Sequence, residues 1–391
     1  MRAARAVWRR RVPAATVTVM AGAACLVGAD PAAAVQDTVV HCRTQNLQDA
    51  IDAAPSGATL RVAGTCVGDF TISKDLTVIG LKDAVLDGHH TDSTLTVNGA
   101  AQVRLERVAI TNGNALFGGG IHNNDGTLTL NHSTVGGNGA GYFGGGIFND
   151  VGGTVTLNDS TVGDNTAGRG GGIYNSGTAS LKSSAVRDND GDNDGGGIYN
   201  DVGGKATLTD SSVRNNTANV AGGIYHLYGG TLTLERSTVE RNTAAAIAGG
   251  ILNDGTARLK SSTVRDNDGG AIGGGIENIN GTLTLEDSSA VEGNTAGSGG
   301  GIDNTAATLT LDHSTVKGNT ASNIGGGMNN FDSTVTLHHS TVERNTAKGG
   351  PGSGGGIYNG KDSTVTLEFS KVRKNDPDNC AGPVPVPGCT G

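Results

Sequence analysis

The sequence predicts an all-β fold, a right-handed parallel β-helix of about ten coils of roughly 26 residues each, with a short N-terminal capping helix. Two observations predict it. A Gly-Gly-Ile-x-Asn string recurs ten times with small departures, and no segment between residues 60 and 375 has helical periodicity. The central apolar residues of the strings are Ile121, Ile147, Ile173, Ile198, Ile224, Ile251, Ile276, Ile302, Met328 and Ile357.

Each repeat contains three short segments of period-two character, separated by Gly, Asn and Asp. In the first repeat they are centred on Ile121, on Thr127–Leu130 and on Ser133–Val135. This pattern predicts three strands and three turns per coil. Equivalent strands of successive coils should stack about 4.8 Å apart, which buries continuous aliphatic columns. Right-handedness follows from the strong bias of parallel crossover connections.

Two columns of asparagine accompany these strands. Stacked amides donate and accept along a column, so we expect both to be structural ladders at turns. One comprises Asn138, Asn165, Asn189, Asn216, Asn242, Asn267, Asn294, Asn319, Asn345 and Asn375. The other comprises Asn123, Asn149, Asn175, Asn200, Asn253, Asn278, Asn304, Asn330 and Asn359, with His226 as the exception.

Residues 1–34 have the pattern of an export signal. Five arginines precede the apolar stretch Ala14–Ala29, and Ala32–Ala34 form an A-x-A cleavage site. The apolar stretch is too short for a membrane span, so we expect a secreted, extracellular chain that begins at Val35. The remaining divisions are an N-terminal cap with the first coils (35–113), the repetitive β-helix (114–375) and a Pro/Cys tail (376–391). In the cap, Asn46 is positioned to begin a short helix.

Charge and cysteine content restrict the partners. Without residues 1–34 the chain has 23 basic and 36 acidic residues, a formal charge of −13. This charge argues against nucleic acid and anionic membranes as partners. An even number of cysteines in an exported chain indicates disulfides. Three pairings are open, and the simplest joins neighbours at each end of the chain; the four residues are Cys42, Cys66, Cys380 and Cys389.

The Gly-Gly-x-Ile repeats resemble those of bacterial polymorphic outer-membrane proteins and, more broadly, the pectate-lyase-like (pectin lyase fold) β-helix superfamily. The resemblance covers about residues 42–375. It implies a fold but not one chemistry, because a single architecture hosts many functions. Lyases of this superfamily use an Arg base beside acidic calcium ligands, and its hydrolases use clustered Asp motifs. Neither pattern can be matched here residue by residue, so no catalytic residue is assigned.

The residue before Asn in each Gly-Gly-Ile-x-Asn string should point outward, and several copies place an aromatic there. The rings could form a structural ladder or a platform for sugar rings. Acidic residues follow at one end of this stripe. The ligand-binding candidates are Phe148, Tyr174, Tyr199, Tyr225, Glu277 and Asp303.

Two acidic groups are weaker candidates for metal binding. Asp190, Asp192 and Asp194 have the spacing of a calcium loop, although flanking helices are missing. Late turns should bring carboxylates and imidazoles together across coils, namely Asp312, His313, His338 and His339. No cofactor is evident otherwise, and calcium is the candidate ion.

Two further outward patterns recur. A charged column changes sign at each coil from Arg214 onward and should fix the register: Arg187, Arg214, Glu240, Arg265, Glu292, Lys317, Glu343 and Arg373. A Thr-x-Thr pattern is complete in seven coils and resembles the ice-binding face of some β-helical antifreeze proteins: Thr127/Thr129, Thr154/Thr156, Thr231/Thr233, Thr282/Thr284, Thr308/Thr310, Thr334/Thr336 and Thr364/Thr366. Ser180, Lys205 and Arg258 interrupt it.

The regular coil length favours an extended surface over a catalytic cleft. We therefore expect a secreted, monomeric, adhesin-like protein that binds extracellular polysaccharide or a cell-surface glycan without catalysis. A polysaccharide lyase or glycoside hydrolase is the alternative, and an ice-binding protein is a minor one.

Overall fold

The computed structural model describes residues 37–390 and confirms the parallel β-helix. The predicted signal peptide and its cleavage site lie outside the described residues. Three parallel sheets run along the solenoid, with 14, 13 and 13 strands, so about thirteen turns replace the ten expected. The difference arises because the coils before Gly119 lack the Gly-Gly-Ile-x-Asn string that was counted. The described part of the chain holds no helix of the length and apolar character that a bilayer crossing requires.

The widest sheet, called here the threonine sheet, presents the Thr-x-Thr segments. Its inward residues are aliphatic and buried, and its outward residues are exposed or half-buried. Its strands are Asp37–His41, Ala58–Ala63, Leu76–Gly80, Gln102–Glu106, Thr127–Asn131, Thr154–Asn158, Thr178–Lys182, Lys205–Thr209, Thr231–Glu235, Thr256–Lys260, Thr282–Glu286, Thr308–Asp312, Thr334–His338 and Thr364–Glu368.

The second sheet, the isoleucine sheet, begins each strand of the repeats with the central Ile or Met. Its strands are Phe70–Ile72, Leu95–Asn98, Ile121–Asn124, Ile147–Asn149, Ile173–Asn175, Ile198–Asn200, Ile224–His226, Ile251–Asn253, Ile276–Ile279, Ile302–Thr305, Met328–Phe331, Ile357–Asn359 and Cys380–Ala381. The central residues are fully buried, as the stacked-column prediction requires.

The third sheet, the valine sheet, buries one valine per coil in the repeats. Its strands are Thr65–Val67, Val85–Asp87, Ala109–Thr111, Thr134–Gly136, Thr161–Gly163, Ala185–Arg187, Ser212–Arg214, Thr238–Glu240, Thr263–Arg265, Ala290–Glu292, Thr315–Lys317, Thr341–Glu343 and Lys371–Arg373. It also carries the alternating charges in register, and Arg373 pairs with Glu343 at 3.0 Å.

A fourth strand per coil, which the sequence did not predict, lies between the valine and isoleucine sheets along the chain. Six such strands form what we call the cover sheet: Asn114–Phe117, Gly139–Phe143, Thr166–Arg169, Asp190–Asp194, Thr217–Val220 and Thr243–Ile247. Later coils retain only a short three-stranded sheet, Thr295–Ala296, Thr320–Ala321 and Thr346–Ala347. The cover sheet lies beside the aromatic stripe, where its Phe143 stacks on Tyr174.

Asparagine ladders join the coils, as predicted. Asn149 donates to Asn175 and Asn175 donates to Asn200, each at 2.7 Å, and Asn200 Nδ2 lies 2.9 Å from His226 Nδ1. In the second ladder the amides contact at about 2.9–3.0 Å, and most members are fully buried. These amide bonds satisfy side-chain atoms that would otherwise be buried without partners, a cost of about 1–3 kcal/mol each. The first ladder is interrupted at Asn330, whose amide oxygen and nitrogen have no hydrogen-bond partner within residues 37–390.

Both ends of the solenoid are closed. The helix Leu47–Ala53 begins at Asn46, whose side chain accepts from Gln48 N at 2.7 Å. The Gln48 side-chain amide then accepts from Thr71 N and donates to Thr71 O, so it acts as the missing neighbour of an edge strand. Disulfides join neighbouring cysteines at each end, Cys42–Cys66 and Cys380–Cys389.

Candidate functional site

The aromatic stripe is a stacked column within the isoleucine sheet. Phe148, Tyr174, Tyr199 and Tyr225 are register neighbours, with successive ring centroids 5.4, 4.8 and 4.9 Å apart. The rings of the two Tyr–Tyr pairs are stacked and nearly parallel, with interplanar angles of 7° and 13°. Both faces of an inner ring therefore contact other rings, as in the structural ladder considered above.

The same rings are covered rather than open, because Phe148, Tyr174 and Tyr199 are only 8%, 6% and 5% exposed. Phe143 of the cover sheet stacks on Tyr174 at 4.6 Å, and the Arg169 guanidinium lies 5.8 Å from the Tyr199 ring centroid. Desolvation in this layer raises the pKa of the Tyr174 and Tyr199 hydroxyls. Of the two alternatives considered above, the ladder describes the packing of these three rings, which are covered because the unpredicted fourth strand lies over them.

Glu277 and Asp303 continue the same column and lie side by side in register. Both are buried. Asp303 accepts from Asn329 at 2.7 Å and from Thr305 at 3.1 Å, whereas Glu277 Oε2 has no hydrogen-bond partner among residues 37–390. Burial raises the pKa of both carboxyl groups, and the neighbouring Asp303 charge raises that of Glu277 further.

Perturbed carboxyl groups of this kind are frequent in active sites, but access decides whether they can act. Here glycine backbone approaches each carboxyl-bearing residue closely. A Cβ added at Gly273 would lie 2.8 Å from Glu277 Cβ, and one added at Gly299 would lie 2.7 Å from Asp303 Cβ. Both glycines have positive φ, 64° and 59°, which lets the chain turn directly over the acids. Glu277 and Asp303 are only 5% and 2% exposed, so a substrate has little access to their carboxyl groups.

The calcium-loop pattern lies in a strand of the cover sheet, Asp190–Asp194, rather than in a loop. Two of its three acidic side chains bind protein partners, and Asp192 is exposed. Asp194 forms an ion pair with Arg169 at 2.8 Å, and Asp190 accepts from Thr217 Oγ1 at 3.0 Å. An extended strand does not wrap around an ion as an EF-hand loop does, so the predicted calcium geometry is not formed there.

The late acid and histidine residues do come together. Asp312 Oδ1 lies 2.7 Å from His313 Nδ1 and 2.8 Å from His338 Nδ1. Within residues 37–390 this trio is the one group of three or more His, Cys, Asp or Glu residues arranged to hold a metal ion. The two imidazoles are hydrogen-bonded to the Asp312 carboxylate and lower its pKa. His339 stacks on His313, with ring centroids 4.9 Å apart, and is not a member of the trio.

Hydrogen bonds within two equivalent turns hold the cluster of Asp312, His313, His338 and His339, which we call the histidine turn. His313 and His339 adopt left-handed backbone conformations, with φ of 50° and 46°. Ser340 Oγ donates to His338 O at 2.8 Å, and Ser314 Oγ donates to Asp312 O at 2.9 Å. The ligand side chains therefore project from a backbone that neighbouring coils fix in place.

Phe369 was missed by the sequence reasoning. It is 81% exposed and stacks on His339, with ring centroids 5.0 Å apart and an interplanar angle of 10°. It occupies the turn position of His313 and His339 in the next coil, so extending that column by one repeat would have found it.

The threonine sheet presents two outward columns, one exposed and one half-buried in most of the repeats. Its outward threonines are in register from coil to coil, for example Thr282 beside Thr308 beside Thr334. We call the two outward columns the threonine face. Near its N-terminal end a hollow of about 280 Å³ is lined by Asp75, Gln102 and Arg104 together with Thr127 and Thr129.

Comparisons with known proteins give structural likenesses only. No protein-family model matches the chain, and no curated protein matches it. The chain is similar to the A-module of Azotobacter vinelandii mannuronan C-5 epimerase AlgE4 (13% identity, TM-score 0.40, 88% of this chain and 94% of that one). It is similar also to the A-module of the A. vinelandii epimerase AlgE6 (14% identity, TM-score 0.39, 86% of this chain and 93% of that one). A third similar structure is tailspike protein 2 of Escherichia coli O157:H7 bacteriophage CAB120 (10% identity, TM-score 0.36, 86% of this chain and 47% of that one). These values carry no argument about activity, which we derive from the chain's own geometry.

Proposed function

We propose that the protein is an extracellular, non-catalytic binder of polysaccharide and that the threonine face is its binding surface. The observation that carries this proposal is the in-register array of threonines along the widest sheet. The aromatic stripe, which the sequence favoured for this role, is covered by other side chains.

A threonine side chain offers one hydroxyl that donates and accepts and one methyl group for apolar contact. The solenoid repeats both groups about every 4.8 Å along its axis. A linear polysaccharide likewise repeats hydroxyls and C–H groups along its length, so it can make similar contacts at coil after coil. Contacts of this kind are individually weak, and their number produces the affinity.

Two other observations support the proposal. The perturbed carboxyl groups, Glu277 and Asp303, lie beneath glycine backbone, where a substrate has little access. The disulfides Cys42–Cys66 and Cys380–Cys389 fit an oxidising, extracytoplasmic compartment.

The test is retention of the purified protein on a panel of insoluble polysaccharides. The variant Thr231→Val/Thr282→Val/Thr308→Val removes three exposed hydroxyls and keeps the β-branched shape. At about 0.5–1.5 kcal/mol for each hydrogen bond, we expect binding to weaken by about tenfold or more. The matched control is Thr238→Val/Thr263→Val/Thr315→Val, in the valine sheet.

Equal retention of both triple variants would contradict the proposal, and so would release of unsaturated or reducing ends from the bound glycan. Thermal hysteresis of the wild-type protein, without retention on any glycan, would instead assign the threonine face to ice.

A further inference from the structure

We propose that Asp312, His313 and His338 form a binding site for a divalent transition-metal ion, with Zn²⁺ as the probe. The site is separate from the proposed polysaccharide contacts, although Asp312 and His338 end two strands of the threonine sheet. It therefore stands or fails independently of the proposed function.

The ligand atoms already converge. One oxygen and two nitrogens, each from a different side chain, lie within 4.8 Å of one another. Tetrahedral zinc binds N and O ligands at about 2.0–2.2 Å, which places the ligand atoms about 3.4 Å apart. The Asp312 Oδ1–His contacts of 2.7 and 2.8 Å must open by about 0.6 Å to reach that separation, a small rotation for half-exposed side chains.

The ligand types select the ion. Two imidazoles and one carboxylate suit zinc, copper or nickel, whereas calcium requires six to eight oxygen ligands. Three protein ligands leave a fourth position for water or another ligand, as in open zinc sites. The site lies at the surface, so an ion can enter without a conformational change in the coils.

Neighbouring groups orient the two imidazoles. His339 stacks on His313 and meets the His338 ring edge-on at 4.3 Å, and Phe369 stacks on the far side of His339. The backbone of the histidine turn is fixed by the Ser314 and Ser340 hydroxyls. His339 is therefore a positioning residue in this proposal, because it contacts both ligand rings.

The chain contains a matched control for this site. His132 occupies the same turn position in an earlier coil, is exposed and has φ of 48°. Its neighbours in the column are Arg107 and Asp159 rather than histidines. It shares the backbone conformation of His313 but lacks a second imidazole beside it.

The experiment is isothermal titration of the purified, tag-free protein with ZnCl₂ and with CaCl₂, together with thermal unfolding with and without zinc. We expect one zinc per chain, no saturable calcium binding at this site and a zinc-dependent increase in the melting temperature. His313→Ala and His338→Ala should weaken zinc binding at least about tenfold and abolish the increase. His132→Ala should preserve both.

His339→Phe keeps the ring stacking and should retain zinc binding, whereas His339→Ala should weaken it by a smaller factor than loss of a ligand does. Circular dichroism and the melting temperature in metal-free buffer establish that each variant is folded. Zinc binding that is absent from the wild type, or equal in His338→Ala and His132→Ala, would overturn the proposal.

Discussion

The molecule contains two stacked columns of rings, and they differ in what covers them. In the tyrosine column, Tyr174, Tyr199 and their neighbours lie beneath the cover sheet, and their faces are occupied. At the histidine turn, His313 and His339 stack on each other and His339 stacks on Phe369 of the next coil, at similar separations, but all three rings remain exposed. The same in-register stacking thus produces packing in one place and accessible ligand atoms in the other. The presence of a fourth strand decides between these outcomes.

The largest difference between the columns should be in stability. Tyr199→Ala removes a ring that contacts rings on both sides, and we expect the free energy of unfolding to fall by about 3 kcal/mol. Phe369→Ala should change it by less than about 0.5 kcal/mol, because that ring is exposed. Urea unfolding followed by circular dichroism measures both. Similar losses in the two variants would refute the distinction between covered and exposed columns.

The covered column should also respond to pH through Glu277. Its folded pKa is raised, so above pH about 4.5 the unfolded chain releases a proton that the folded chain retains, and the free energy of unfolding falls as pH rises. Glu277→Leu extends the apolar position of Leu252 and removes an unpaired oxygen, a gain of about 1–3 kcal/mol at neutral pH.

Unfolding of the wild type and Glu277→Leu at pH 5 and pH 8 tests this prediction. The stabilisation by leucine should be larger at pH 8, where the wild type bears the larger cost of the buried carboxyl. A larger stabilisation at pH 5 would show that the carboxyl is ionised in the folded protein.

A smaller effect is expected from Tyr225, the half-buried last ring of the column, which already contacts Leu252. Tyr225→Leu should cost less than about 1.5 kcal/mol, because the apolar column continues through the new side chain. Polysaccharide retention should remain unchanged, since the threonine face is on another sheet. Reduced retention by a folded Tyr225→Leu protein would show that this column does contact the glycan.

The smallest effect should come from the charge column of the valine sheet. Glu343→Lys removes the ion pair with Arg373 and places three positive charges in consecutive coils with Lys317. We expect destabilisation of about 0.5–1 kcal/mol, diminished at high salt. Melting temperatures of the variant and the wild type, measured at roughly 20 mM NaCl (weak screening) and about 1 M NaCl (strong screening), give the salt dependence of the destabilisation. Loss of stability that is independent of salt would indicate a packing effect.

Periodicity in the sequence was sufficient to predict the columns that the fold repeats. The Ile, Leu and Val columns, both asparagine ladders and the approach of Asp312 to His338 follow from alignment of the repeats. The cover sheet was not predictable by the same means. Strands such as Asp190–Asp194 consist of Gly, Asn and Asp without alternation, and neighbouring strands, not their own side chains, hold them extended.

The burial of the aromatic stripe depends on that unpredicted sheet, so periodicity alone left a structural ladder and a platform for sugar rings as alternatives. The first coils were undercounted for a related reason. Strands such as Leu76–Gly80 and Leu95–Asn98 alternate correctly but lack the Gly-Gly-Ile-x-Asn string. The exposure of Phe369 was also not predictable from the sequence, because a phenylalanine at a turn can equally be covered by a neighbouring segment, whereas this one is 81% exposed.

The charge column limits how many coils the solenoid can gain or lose without placing like charges in adjacent coils. Its sign alternates from Arg214 to Arg373 and so repeats every two coils, whereas the aliphatic columns and asparagine ladders repeat every coil. Loss of the single coil that carries Arg265 would bring Glu240 beside Glu292, whereas loss of two coils would restore opposite neighbours. Duplication or deletion of coils in evolution is therefore favoured in even steps, and deletion variants of one and two coils would differ in stability accordingly.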